Sequence, residues 1–498
     1  MKGSDRLSEH DEGDRPEARG AAALLHRSRV KRLARANGWS ILIGLAAWLT
    51  LQFSGDALAA AEDPAPRTLA IENVTVIPMS GPRFVRDATV VIRDGRIASI
   101  EPAGTAEVTP DMRRIDARGK WLMPGLTDMH VHLENVRMLR LLLKNPDISA
   151  GTITNDDVFL PYVANGVLQV LTLQGMSETI GQRVEIEAGR VVGPRVFAAA
   201  MIDGSPPLWP VGMTRVAATP EAGRQAVRDA AAEGYDAIKV YSRLSFEALD
   251  AIVDEARKLK LPVIGHLPGR ESGRIADAIA GLGMVAHAEE FALYTSEPSF
   301  QSIPQYVELM KKNGAWLTAT LSLDERLLEQ TSRPDTLRTR NELRALHPMW
   351  REVVLDHNPY VALASPERIA TLKKIVDFNR ALVRASVAAG VPVVAGTDAP
   401  VPGIVPGFAI HDELEALVRA GMAPYQALEA ATTLPCEWLG VLSDRGTVEP
   451  GKQADLLLLD ANPLDDIGNT RTISAVIVDG RYLRREALDE RMHELMKR

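Results

Sequence analysis

Two histidines, His130 and His132, end an apolar run in Lys120-Trp-Leu-Met-Pro-Gly-Leu-Thr-Asp-Met-His-Val-His-Leu133, just past a Pro124-Gly125 turn. Residues two apart on a β-strand point to one face, so a strand here aims both imidazoles at a single point, as metal ligands require. The same spacing also occurs in half-exposed strands with no ligand role, and the pair gains meaning only from the residues downstream. Four more residues of ligand type sit in strand-like settings: Lys239 in Ala237-Ile-Lys-Val-Tyr, His266 in Ile264-Gly-His-Leu, His287 in Val285-Ala-His-Ala and Asp398 in Ala395-Gly-Thr-Asp-Ala. Each has an ordinary reading alone: strand lysines are usually solvated, lone histidines are usually hydrogen-bonded structural residues, and Gly-Thr-Asp is common turn chemistry. Brought to one place, the six would form a metal centre. Imidazole and carboxylate donors suit zinc, with manganese or cobalt as alternatives.

The elements that would gather them can be read from the pattern between. Gly166 to Gln174, Arg195 to Met201, Ala237 to Ser242, Pro262 to Leu267, Met284 to Glu289, Ala315 to Leu323 and Val391 to Thr397 read as strands, and Leu126 to Leu133 makes eight. Helical patterns alternate with them. Thr219 and Pro220 start one helix, which Gly234 stops; another begins near Ser245, carries Leu249, Ile252, Val253, Ala256 and Leu259 at helical spacing, and ends at Pro262. Eight such units predict an α/β fold, a (β/α)8 barrel, whose active site lies at the C-terminal strand ends. On that map the six candidates end strands one, four, five, six and eight.

Residues 324–390 exceed one barrel helix and read as a helical insertion near the mouth, a candidate lid. The first β-like stretch, Arg67 to Ile115, turns at Asp94-Gly95; Ala454 to Asp460 and Ile473 to Arg481 repeat that character with a turn at Asp479-Gly480. Together they predict a small β-sandwich domain assembled from both chain ends. The expected organisation is a signal peptide with an over-long N-terminal region at 1–61, β-sandwich at 62–123 and 440–484, the barrel at 124–439, and a helix or tail at 485–498.

In these motifs the chain resembles the amidohydrolase superfamily, specifically its imidazolonepropionase-like and Xaa-Pro dipeptidase-like branch, over Arg67 to Leu483. The resemblance rests on His130-Val-His132 after Pro124-Gly125, Ile238-Lys239-Val, His266, His287 and Gly396-Thr397-Asp398, with Val448-Glu-Pro-Gly-Lys-Gln-Ala-Asp-Leu456 matching the family's return into its sandwich. It implies two divalent metal ions held by His130, His132, a carboxylated Lys239, His266, His287 and Asp398. Physical chemistry agrees with the lysine's part. An ammonium beside two cations is repelled and loses its proton, and the neutral amine can take up carbon dioxide to become an anionic carbamate. Its two oxygens suit metals spaced about 3.5–4 Å apart.

Departures from neighbouring branches narrow the chemistry. Related deaminases carry Glu three residues after the strand-five histidine, where this chain has Gly269, so base deamination is disfavoured. Imidazolonepropionase-like relatives have His-Ala-His on strand five, where this chain has His266-Leu-Pro268. The resemblance then implies a hydrolase of an amide bond in a dipeptide or N-acyl amino acid, with Asp398 moving the proton. Lactones, esters and phosphotriesters are the alternative substrates, and a non-catalytic scaffold is a rival that typically loses ligands this chain retains. Tyr241, two residues after Lys239, faces the same mouth and either binds a substrate oxygen or packs. His411 reads as a helix cap or a support for a ligand, and His347 and His357, in the insertion, as surface residues.

Composition and charge set the outer limits. With 46% hydrophobic and 24% charged residues the 498-residue chain is neither disordered nor fibrous, and a net charge of −8 gives no nucleic-acid surface. Small molecules are the expected partners, with room for a homo-oligomer. Arg27, Arg29, Lys31, Arg32 and Arg35 precede an apolar stretch from Ile41 to Phe53 that runs into Ala57-Leu-Ala-Ala-Ala61, a signal and cleavage pattern that predicts a periplasmic or secreted protein without a stable membrane span. An uncleaved anchor is the alternative, and a start at Val30 would give a signal of ordinary length. Cys436 is the single cysteine, so an oxidising compartment would impose no intrachain disulfide.

Overall fold

The computed structural model describes residues 68–81, 83–149 and 151–498. The expected signal at 1–61 lies outside them. Among the described residues no helix is long and apolar enough to cross a membrane.

The chain opens with antiparallel strands β1 (Thr68–Val76), β2 (Val85–Arg93) and β3 (Arg96–Pro102), followed by β4 (Arg113–Asp116) and β5 (Trp121–Pro124), which run parallel to β1. After Gly125 come β6 (Leu126–Val131), β7 (Val167–Thr172), β8 (Arg195–Asp203), the short β9 (Arg215–Val216), β10 (Ala237–Val240), β11 (Val263–Gly265), β12 (Met284–Ala286), β13 (Trp316–Thr318) and β14 (Val393–Val394). The last strands, β15 (Leu456–Leu459), β16 (Ile473–Val478) and β17 (Arg481–Arg484), return to the first sheet, where β15 pairs with β5. That sheet, ordered β17-β16-β15-β5-β1-β2-β3, encloses its own core of Ile71, Val90, Ile92, Leu122, Leu456 and Ile477. The two chain ends thus make one small domain, as expected. A helix at Arg485–Met496 ends the chain.

The eight expected barrel strands are present, parallel and consecutive from β6 to β14, with β9 beside β8. Met129 N–H donates to Ala395 O at 3.0 Å and Asp398 N–H to His130 O at 2.7 Å, bringing the eighth strand back against the first. Both faces are buried, which is why the strands read as apolar runs. Val170, Ile238, Val285 and Leu317 face the helices, and Leu171, Ala237, Ile264 and Val394 fill the interior. Thr219 and Ser245 cap their helices as expected, accepting from Ala222 N–H and Ala248 N–H.

Most of these barrel strands are shorter than their sequence suggests, the eighth most of all in proportion, Val393–Val394 against Val391 to Thr397, and in two a left-handed residue ends the strand. The strand expected at Met284 to Glu289 stops at Ala286 because His287 takes a left-handed conformation, φ 75°. The one expected at Ala315 to Leu323 stops at Thr318, since Thr320 is also left-handed, φ 47°, and a helix, Leu321–Ser332, begins there.

The insertion is helical, including Pro348–Asp356, Pro359–Ala362 and the long Pro366–Ala388. It is tied to the segment after Asp398: Trp350 Nε1–H donates to Pro400 O at 2.7 Å, Gln330 to Pro402 O at 2.8 Å and Arg340 to Gly403 O at 2.6 Å. His357 is exposed, but His347 is not the surface residue expected. It is 9% exposed, its Nδ1 accepts from Met349 N–H at the start of the helix Pro348–Asp356, and its Nε2 lies 3.1 Å from Thr152 O. Capping a helix that folds back on the loop after β6 is what buries it.

Candidate metal centre

Simple alternation does not place His130. Asp128 is opposite Val170, whose side chain belongs to the outer core, and Met129 points into the barrel; Val131 is opposite Thr172, so Met129 and His130 together face one residue of β7. That β-bulge adds a residue and re-aims His130 toward the mouth, where the next alternation delivers His132. The imidazole centroids are 5.3 Å apart. Gly396 lets the eighth strand press against them: a Cβ there would fall 2.4 Å from Thr318 Cγ2 and 2.9 Å from His130 Cβ. Asp398, left-handed at φ 61°, then directs one oxygen at both rings, 3.1 Å from His130 Nε2 and 2.7 Å from His132 Nε2. A non-glycine residue in that region is strained, and such strain gathers at functional sites.

Across the mouth the other two imidazoles are gripped from behind. His266 Nδ1 lies 2.9 Å from Ser242 Oγ and 3.1 Å from Glu290 Oε1, and His287 Nδ1 lies 3.0 Å from Thr320 Oγ1. Each contact occupies Nδ1 and leaves Nε2 for a ligand role, the arrangement by which outer partners orient metal-binding histidines. The rings meet at one centre, His130 to His287 at 4.4 Å and His266 to His287 at 5.1 Å between centroids. His130, His132 and Asp398 form a group able to hold a metal ion.

Lys239 reaches the same centre from β10. It is 1% exposed, and its Nζ has no hydrogen-bond partner among the described residues. Burial lowers its pKa to about 8, against the pull of Asp398 and Glu290. Burial also drives His130 down to about 3 and His287 well below the usual histidine range, which favours the neutral form that a metal ligand requires. For Asp398, burial pushes the carboxyl up, but His130 and His132 outweigh it and hold it well below its ordinary value. Tyr241 does face the mouth: its ring lies 4.1 Å from that of His266 and its centroid 5.9 Å from Lys239 Nζ.

His411 is elsewhere. Buried in the first turn of Ala409–Arg419, it contacts Thr470 Oγ1 at 2.9 Å and Asn165 O at 3.1 Å, joining surrounding loops rather than supporting a ligand.

Three supporting carboxylates escape sequence reasoning. Asp128 accepts from Thr397 Oγ1 (2.6 Å), Thr397 N–H (3.0 Å) and His130 N–H (3.2 Å), locking the first strand to the eighth. Glu290 accepts from Leu267 N–H at 3.0 Å and from Arg270 while it touches His266. Glu413 caps Leu321–Ser332 through Leu321 N–H (3.0 Å) and Ser322 N–H (2.7 Å), fixing Thr320 behind His287. The sequence signal is an acid in an otherwise apolar strand for Asp128, and one adjoining a candidate ligand motif for Glu290; nothing local marks Glu413.

Comparisons with known proteins agree with this arrangement. A family model described as the amidohydrolase family matches residues 121–483. The ochratoxinase of Aspergillus niger is 25% identical over 435 residues, covering 77% of this chain and 79% of its own. The imidazolonepropionase of Chloroflexus aggregans is 26% identical over 422 residues, covering 76% and 86%. Among solved structures, a candidate prolidase from Bifidobacterium longum has a TM-score of 0.63 at 25% identity, covering 87% of this chain and all of that one. Bottromycin amidohydrolase shares the fold, with a TM-score of 0.68 at 22% identity over 90% of this chain and 95% of its own.

Proposed function

The chain belongs to the amidohydrolase family and is a hydrolase of amide or peptide bonds, and on that premise we propose that it works with two divalent cations, zinc by donor chemistry, on a dipeptide or N-acyl amino acid. The observation that carries the two-cation reading is Lys239, a buried amine without a hydrogen-bond partner among the described residues, in a ring of four imidazoles and one carboxylate. That donor set fits divalent metal. His130, His132 and Asp398 would hold one side and His266 and His287 the other, with Lys239, as a carbamate formed from its neutral amine and carbon dioxide with release of a proton, shared between them.

Cations bound there would polarise the scissile carbonyl and lower the pKa of water to about 7. The protein's own groups do the rest. Asp398, kept ionised by its histidine neighbours, takes the proton from the attacking water and returns it to the leaving nitrogen. Ser242, Glu290 and Thr320 hold the far imidazoles in place throughout. Tyr241, beside His266 and open to the mouth, offers its hydroxyl to a substrate oxygen.

A panel of dipeptides, N-acyl amino acids, lactones and phosphotriesters, offered to metal-loaded protein, tests the substrate class. Amide turnover well above the others is expected; turnover of lactones or phosphotriesters alone would contradict it. Export is a separate proposal, resting on Arg27 to Arg35 and the apolar stretch after them. Terminal sequencing of protein recovered outside the cytoplasm should find a first residue near Ala60 or Glu62; a chain retaining Ile41 to Phe53 would favour an anchor.

A further inference from the structure

The loop after β8 presents three large apolar side chains in four residues: Leu208 is 48% exposed, Trp209 36% and Val211 71%. Single exposed apolar residues are ordinary, but a run of them on a fixed loop beside a catalytic mouth is a recognition feature. The loop is fixed from below. Asp203, fully buried, accepts from Gly204 N–H (2.8 Å), Leu208 N–H (2.9 Å) and Arg243 N–H (2.8 Å), so the residue before Trp209 is pinned to the end of β8. Gly204 permits the close approach: a Cβ would lie 1.8 Å from Arg243 O. At the far side Met213, 3% exposed, anchors the loop in a cluster with Met138 and Met176.

Trp209 also connects to the metal centre. Its indole stands at the Tyr241 side chain, and the Tyr241 ring lies 4.1 Å from that of His266. Trp209, Tyr241 and His266 therefore form a succession of side chains from the apolar rim inward to a candidate ligand. It costs exposed apolar area in the free protein and recovers that cost only when something apolar covers it.

We propose that Leu208, Trp209 and Tyr241 form a subsite for a large apolar side chain, aromatic by preference, on the residue flanking the scissile amide. This rests on the amide-hydrolase reading and narrows its substrates to those with a bulky apolar group on one side of the bond. Leu208 and Trp209 set specificity; neither touches the reacting atoms.

The test compares Phe-Gly, Gly-Phe and Gly-Gly, with their N-acetylated forms, on metal-loaded protein, and measures calorimetrically the binding of free phenylalanine and glycine, which need no turnover. The parent enzyme should favour one phenylalanine-containing amide over Gly-Gly, and Trp209→Ala should shrink that kcat/KM ratio about 10-fold to 100-fold, the worth of burying a large apolar side chain. Leu208→Ser should shrink it less, and Val184→Ser, on a helix away from the mouth, should leave it unchanged. Equal turnover of all three peptides, or a Trp209→Ala loss equal across them, would overturn the subsite while leaving the hydrolase reading intact. Phenylalanine bound more tightly than glycine, in a Trp209-dependent way, by a protein that cleaves none of these amides would keep the subsite and sink the substrate class. Should Trp209→Ala fail to fold, the parent's own preference and the Leu208→Ser ratio still decide.

Discussion

At the corner between β6 and β14, His130 and His132 turn their Nε2 atoms to one oxygen of Asp398, and their Nδ1 atoms have no partner among the described residues. Across the mouth His266 and His287 are held by Nδ1, through Ser242, Glu290 and Thr320. The first corner is positioned by backbone: a bulge at Met129 and His130, a left-handed Asp398 and the Asp128 lock between strands. The second is positioned by side chains. A ligand set by backbone should tolerate loss of its outer partners in metal affinity and suffer in stability; one set by side chains should do the reverse.

The largest effect is expected at Asp398, the candidate ligand proposed to move a proton as well. Asp398→Asn keeps an oxygen for metal but cannot shuttle, so kcat is expected to fall about 10²-fold to 10⁴-fold with most metal retained; steady-state rates alongside metal analysis would show it, and near-parental turnover in fully loaded protein would remove the proton role. Next is the side-chain corner. Glu290→Gln weakens the grip on His266 and is expected to lower metal affinity about 10-fold to 100-fold, read by chelator competition. Unchanged affinity would mean that Ser242 alone orients the ring. The smallest effect on metal belongs to Asp128→Ala, which removes the acceptor of His130 N–H and of the Thr397 hydroxyl and leaves Thr397 N–H only its 3.3 Å bond to His130 O. A stability loss of about 1–3 kcal/mol is expected in urea denaturation, with metal affinity changed less than by Glu290→Gln. The opposite ranking would erase the distinction between the corners.

The same distinction explains what the sequence could reveal. The eight strands and the convergence of the six candidate residues on one mouth are legible in the sequence, because parallel strands buried on both faces write continuous apolar runs and these polar residues interrupt them at their ends. His130 was placed on the right side by alternation, though the chain achieves it through a bulge that only pairing with β7 reveals. Strand ends were misread at Ala286 and Thr318 because His287 and Thr320 turn left-handed under tertiary constraint, with no glycine to mark it. Asp128, Glu290 and Glu413 act on neighbours distant in the chain, as does the burial of His347 against Thr152. Periodicity reports which face a residue occupies and is silent on which partner it meets there.

Lys239 is the residue proposed to join the two corners, and its state is the sharpest question, because its amine is buried with no hydrogen-bond partner among the described residues. Metal-loaded protein supplied with ¹³C-labelled bicarbonate should show a carbamate carbon by NMR that disappears in Lys239→Ala, together with loss of metal and activity that small carboxylic acids partly restore. A fully metallated, active enzyme that shows no carbamate signal, with a Lys239→Ala variant that keeps its metals and full activity, would contradict the account.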